Sequence, residues 1–169
     1  MHSNNSIVIR KATVADIPLI KKLVMEVWPH TYVPIIGEQQ VAYMLDRFYS
    51  TQALTVQIEE QEHHFIIGYY NDDPIAFAAY SALSPDTWKL HKLYILPQVQ
   101  GKGIGKQLVR YIKTDVAATG ATALILNVNI HNSSAIAFYN KYGFQQLRDE
   151  DIDIGSGYFM NDHVYSLAL

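Results

Sequence analysis

Gly101, Gly103 and Gly105 fall on alternate positions and run directly into a helical pattern, Ile104, Leu108, Ile112 and Val116. Before them, Trp88, Leu90, Leu93, Tyr94 and Ile95 have the aromatic and aliphatic character of a pleated, largely buried strand. Pro97 closes that strand, because proline has no N–H to give to a ladder. A strand that feeds glycines into a helix start is an anion site. The first-turn N–H groups have no intrahelical acceptor, the macrodipole favours negative charge, and glycine lets a phosphate reach the backbone. Two common phosphate loops are excluded by spacing. The dinucleotide fingerprint needs glycine where Lys106 stands, and the P-loop needs a wider gap than Gly101 to Gly105 and a Ser or Thr where Gln107 stands.

The loop does match Gln-x-x-Gly-x-Gly, as Gln100, Gly103 and Gly105 after Leu93-Tyr94-Ile95. It resembles the acetyl-CoA pyrophosphate loop of the GNAT superfamily of N-acetyltransferases. A second stretch, from Asn132 through Ala135, Tyr139, Lys141 and Gly143 to Phe144, resembles the pattern NxxAxxxYxKxGF of the same superfamily. With the order of elements, the resemblance covers nearly the whole chain.

That resemblance implies acetyl-CoA held where two central parallel strands splay apart. Backbone groups of Leu93, Tyr94 and Ile95 would bind the pantetheine arm as an added strand. Gln100, Gly101, Lys102, Gly103, Ile104, Gly105 and Lys106 would take the pyrophosphate. Asn132 would touch the pantetheine, and Lys141 the nucleotide end; Asn132 also suits a helix N-cap. The implied reaction is direct attack of an amine on the thioester. An alkylammonium near pKa ~10 must first lose a proton, charge building on the carbonyl oxygen needs a preset donor, and the leaving thiolate needs a proton. Tyr139 matches the family's tyrosine acid. His91, two positions before Leu93, is the candidate base because imidazole titrates near working pH; the alternative is a structural histidine with proton removal through ordered water.

The elements that must position these groups follow a β-α-α-β-β-β-α-β-α-β-β pattern. A strand at Ile7–Ala12 leads to a helix start at Thr13 and Asp16 with an apolar stripe at Ile17, Ile20, Val24 and Val27. An irregular aromatic segment, Trp28–Gly37, carries two prolines and His30, and a second helix is expected over Glu38–Tyr49, facing inward through Val41, Leu45 and Phe48. Strands follow at His64–Tyr70 and Ile75–Leu83 around an Asn71–Pro74 turn, then the glycine-loop helix ending near Gly120. Ala123–Val128, an apolar run, predicts a strand buried on both faces and parallel to the strand before the loop. Phe144–Leu147 and Tyr158–Leu167 predict a closing antiparallel pair flanking an acidic loop, Asp149–Asp153. The expected fold is one α/β (α+β) domain over residues 1–169, a mixed and mostly antiparallel sheet of about seven strands with helices on both faces.

Composition sets the remaining bounds. With 49% hydrophobic residues and a net charge of -3, the chain reads as a globular protein with no nucleic-acid partner. The absence of cysteine excludes disulfides, thiolate metal sites and a cysteine nucleophile. No HExxH or GxSxG pattern occurs, so neither a metal centre nor a serine nucleophile is expected. The polar opening MHSNNS predicts no secretory leader, and no run is long enough to cross a bilayer, so a cytoplasmic location without a membrane partner is expected. A homodimer is a family expectation only.

For the acceptor, the first-helix region through Thr31-Tyr32 and the C-terminal stretch resemble bacterial spermidine/spermine acetyltransferases of the Pai type. Trp28, His30 and Tyr32 could wall a small-molecule amine site, or Trp28 and Tyr32 could fill the core. Asp149 and Glu150 could draw in a polycation, or form a solvated acidic loop. The alternatives are a peptide N-terminus or lysine as acceptor, and a non-catalytic acetyl-CoA sensor.

Overall fold

A computed structural model describes residues 6–169; the polar opening at residues 1–5, from which the absence of a leader was expected, lies outside them. The elements are β1 (Val8–Lys11), α1 (Ile17–Tyr49), α2 (Thr51–Glu59), β2 (His64–Tyr70), β3 (Asp73–Ala82), β4 (Thr87–Ile95), α3 (Ile104–Ala117), β5 (Ala123–Asn129), α4 (Ser133–Tyr142), β6 (Gln145–Gly155) and β7 (Tyr158–Ala168). Short 3-10 turns at Val14–Asp16 and Pro97–Val99 precede α1 and α3. The seven strands form one sheet in the order β1-β2-β3-β4-β5-β7-β6. β4 and β5 pair in parallel, while β1–β2, β2–β3, β5–β7 and β6–β7 pair antiparallel. This is the expected mixed architecture. Two compact units share β4 and α3: one runs to Ser81 and includes Lys92–Ile112, the other holds Ala82–His91 and Lys113–Leu169.

In the first unit, helices cover both faces of the sheet. Leu108 of α3 lies against Gly68 of β2, where an added Cβ would meet its side chain at 3.7 Å. On the opposite face, Tyr49 of α1 meets Phe77 of β3 edge-on at 6.4 Å. Ile20, Leu54, Ile66, Ile67 and Leu108 are fully buried between these layers, each worth roughly 1.5–3 kcal/mol of transfer free energy. The β2–β3 turn is tighter than expected: Asn71 and Asp72 both take positive φ between Tyr70 and Asp73, as a two-residue type I′ turn requires. Pro74 therefore lies inside β3, opposite Tyr69 beside a bulge.

The aromatic segment expected to be irregular is helical. α1 continues through Pro29 and Pro34, and only Gly37 departs, at φ 83 and ψ 162, a conformation essentially confined to glycine. Proline normally ends a helix; here burial of Trp28 and the tilted contact of its ring with Tyr32, one turn later at 4.5 Å, hold the turn together. Beyond the kink the buried face is Val41, Met44 and Tyr49, while Leu45 and Phe48 are half-buried. α2 follows at once, capped by the Ser50 hydroxyl accepting from Ala53 N–H at 3.1 Å; it had no counterpart in the expected pattern.

In the second unit, two expectations change. β5 alternates, with Leu124, Leu126 and Val128 buried and Ile125, Asn127 and Asn129 half-buried, so it is not enclosed on both faces. The expected acidic loop is strand: β6 runs from Gln145 to Gly155 in register with β7. The reversal lies at Ser156 and Gly157, both at positive φ between the paired Gly155 and Tyr158.

Candidate functional site

In the first unit, β4 ends at Ile95 and its last carbonyl accepts from Gln100 Nε2 at 3.1 Å. Gln100 thereby ties the strand end to the glycine loop. Gly101 and Gly103 hold φ of +79 and +77, which side-chain-bearing residues rarely adopt, and no heavy atom lies within 4 Å of where a Cβ would stand on either. The first helical N–H bonded back into the chain is that of Gln107, to Gly103 O at 3.3 Å. The amides of Ile104, Gly105 and Lys106 thus form the first turn of α3, where N–H groups have no intrahelical acceptor. Lys102 and Lys106 are exposed beside them. A glycine backbone with open space around it, first-turn amides and flanking lysines suit a diphosphate, so the residues present fit the group that the family resemblance implied.

The same unit gathers Trp28, Tyr32, Tyr49, Phe77 and Tyr94 into one aromatic cluster. Trp28 meets Tyr94 at 6.0 Å and Tyr49 at 5.4 Å, and Tyr32 meets Tyr94 at 6.4 Å. Trp28 is 4% exposed, Tyr32 is half-buried and His30 is exposed. Burial, followed by the charge of the neighbouring Tyr32 and Tyr49 phenols, pushes the Tyr94 hydroxyl well above its usual range. Burial, then Tyr32, does the same for Tyr49. The Trp28 indole N–H lies near enough to the Tyr49 phenol to oppose that rise, yet closes no hydrogen bond. Lys92 was not singled out by sequence. It is buried, donates to Gln57 Oε1 at 2.8 Å and sits 5.1 Å over the Tyr49 ring.

In the second unit, Asn132 caps α4 by accepting from Ala135 N–H at 3.3 Å. Tyr139 is buried in that helix between Phe138 and Phe144, at 5.3 and 5.4 Å. Lys141 is exposed in the last turn, where its charge suits the helix dipole. His91 is half-buried at the end of this unit's share of β4. The parallel ladder joins Thr87–Leu90 to Ala123–Leu126, and both strands run on past its end.

Asp149 and Glu150 stand on adjacent positions of β6 and so face opposite ways. Asp149 bonds His163, which holds its carboxyl below the usual range. Glu150 bonds Arg148 at 2.9 Å and Asn127 at 3.2 Å, and those two bonds, in that order, lower its pKa. Asn127 also donates to Asp162 at 3.3 Å. Asp162 is 3% exposed, and burial raises its pKa. Neither Asn127 nor Asp162 was legible as functional: each sits alone in a strand, and only sheet register joins them to Glu150. Among the described residues no group of three or more His, Cys, Asp or Glu could hold a metal ion, and no helix is long and apolar enough to cross a membrane.

Comparison with known proteins fits this geometry. The chain is 27% identical over 158 residues to the spermidine N(1)-acetyltransferase of Thermoplasma acidophilum, covering 92% of this chain and 96% of that one. It is 37% identical over 95 residues to the peptidyl-lysine N-acetyltransferase YjaB of Salmonella typhimurium, a match spanning 56% of this chain and 59% of that relative. The crystal structure of the PaiA N-acetyltransferase of Thermoplasma acidophilum in complex with coenzyme A superposes with a TM-score of 0.81 at 25% identity, covering 97% of this chain and 99% of that one. Residues 23–144, which hold both the glycine loop and the Tyr139 motif, match the acetyltransferase (GNAT) family, and the chain belongs to it.

Proposed function

We propose that the protein transfers the acetyl group of acetyl-CoA to an amine by direct attack, with a small polyamine such as spermidine as acceptor. The observation that carries this reading is the near full-length likeness to a spermidine acetyltransferase and to the PaiA structure in complex with coenzyme A, joined to the open diphosphate cradle at Gly101–Lys106. In this reading Leu93, Tyr94 and Ile95 offer backbone groups to the pantetheine, and Gln100–Lys106 hold the diphosphate. Asn132 and Lys141 border the cofactor, and Tyr139 protonates the leaving thiolate. Trp28, His30 and Tyr32 belong to the acceptor side, with Glu150 as the charge that attracts a polycation, while Asp149 faces the other way and is bonded to His163. The base is one of two groups, the half-buried His91 of β4 or the buried Asp162 of β7. The protein works as a single domain in the cytosol.

A second reading, acetylation of a peptide lysine, draws on the higher identity to the peptidyl-lysine acetyltransferase over about half of the chain. An assay of free CoA release across spermidine, arylamines, aminoglycosides, amino acids and lysine peptides separates the two. Polyamine turnover that falls with added salt is expected; turnover of peptides alone would contradict it.

A further inference from the structure

Past the end of the β4–β5 ladder, β5 carries Asn127 and Asn129 on one face. In register beside them lies Asp162 of β7, opposite Asn129, and beyond it Glu150 of β6, opposite Asp162. One amide nitrogen, Asn127 Nδ2, donates to both carboxylates, to Glu150 Oε2 at 3.2 Å and to Asp162 Oδ2 at 3.3 Å. The two acids therefore form one unit whose members sit in unlike environments. Glu150 is half-buried, and Arg148 holds its other oxygen through Nε at 2.9 Å and a terminal nitrogen at 2.8 Å. Those contacts fix it as an anion. Asp162 is almost fully buried and keeps the Asn127 amide as its bond to the pair.

The groups that act on Asp162 come from the neighbouring strands. Burial, the largest influence, raises its pKa; Glu150 on β6 adds to that rise. The Asn127 amide on β5, Lys89 on β4 and the adjacent His163 on β7 oppose it. The net direction is upward, whereas that of Glu150 is downward. Two carboxylates driven apart by their surroundings divide the work, one staying charged and the other exchanging protons.

We propose that Asp162 is the base that takes a proton from the acceptor ammonium, and that Glu150 is the fixed anion that seats that ammonium. The assignment rests on the N-acetyltransferase reading above. An ammonium seated on Glu150 is brought next to Asp162 because one side chain touches both. The Asp162 carboxylate accepts its proton, and the freed lone pair forms the N–C bond to the thioester carbonyl as the C–S bond breaks. The thiolate takes the Tyr139 proton, the phenolate recovers one from the acylated nitrogen, and Asp162 releases its own to solvent. The sum is one ammonium and acetyl-CoA giving one amide, CoA and a proton. His91 then has no part in deprotonation.

The test is the pH dependence of kcat/KM with acetyl-CoA and spermidine, or with a lysine peptide if that is the amine the wild type acetylates. Asp162→Asn is expected to lose about a hundredfold or more in kcat/KM and to lose the acidic limb, with acetyl-CoA affinity unchanged. Glu150→Gln is expected to raise the amine KM and keep the limb, and His91→Ala to keep it too. An Asp162→Asn protein that retains the wild-type limb, or loses less than about threefold, overturns the assignment. Should that variant fail to bind acetyl-CoA, the wild type decides. A carboxyl limb holds its pKa on warming, whereas an imidazole limb moves down, and a limb that moves down overturns the assignment. Failure of the function reading itself looks different: a wild type that binds acetyl-CoA and acetylates none of the amines.

Discussion

Tyr139 is the residue on which the proposed chemistry most depends, and its surroundings suit the role. Phe138 and Phe144 hold its ring in place, so removing the hydroxyl leaves packing untouched. Tyr139→Phe should bind acetyl-CoA normally and lose about a hundredfold or more in kcat, the scale of general acid catalysis; an unchanged kcat in a steady-state assay would remove the role. Asp162 makes an opposite demand on stability. Its folded pKa lies above the unfolded value, so the stability linked to it is complete below the unfolded pKa and is lost as pH rises through the folded one. Asp162→Asn should therefore melt at or above the wild-type Tm at pH 7, with any advantage gone below about pH 4. A large drop in Tm at neutral pH would mean that the carboxylate is structural. Tyr139 and Asn132 could be picked out because both fall in one short stretch of chain that resembles a family motif. Asp162 could not, since its partners Asn127 and Glu150 lie on two other strands.

At the scale of elements, the two helix starts do different work. The 3-10 turn before α1 is closed by a capping box in which Asp16 accepts from Thr13 N–H at 2.8 Å while pairing Arg10 at 2.8 Å. The bond to Arg10 is the main reason that the Asp16 pKa is depressed. Its stabilisation is present above the unfolded pKa and lost as pH falls through the folded one. Asp16→Asn should lower Tm at neutral pH, with the deficit shrinking below about pH 4 in a pH series of melts. The start of α3 is left open instead. Gly103→Ala meets no atom in the fold but forces a side chain into positive φ, a strain of about 1–2 kcal/mol. With that backbone distorted, acetyl-CoA should bind about tenfold more weakly or worse, an effect of at least ~1.4 kcal/mol by calorimetry. Unaltered affinity would show that the cradle is not used. Helix period and turn residues made α3 and α4 legible. They failed at α1, where tertiary burial of Trp28 overrides two prolines, and at β6, where pairing to β7 overrides the poor strand preference of Asp149, Asp151 and Asp153.

Across the molecule, connectivity was readable because a helix between two apolar runs forces a parallel crossover, and this gave the β4–β5 pair. The insertion of β7 between β5 and β6 was not, since nothing local in the chain orders the last two strands. That insertion brings Asp162 next to Asn129, so the part of the site hidden from sequence and the part of the topology hidden from sequence have one origin. The account is tested most directly by incubating the purified protein with acetyl-CoA and spermidine and following acetylspermidine by mass spectrometry against free CoA. Equal amounts of acetylspermidine and CoA, both abolished by Tyr139→Phe or slowed in proportion, are the predicted result. Acetyl-CoA left intact with spermidine and with every lysine peptide tried would contradict the account.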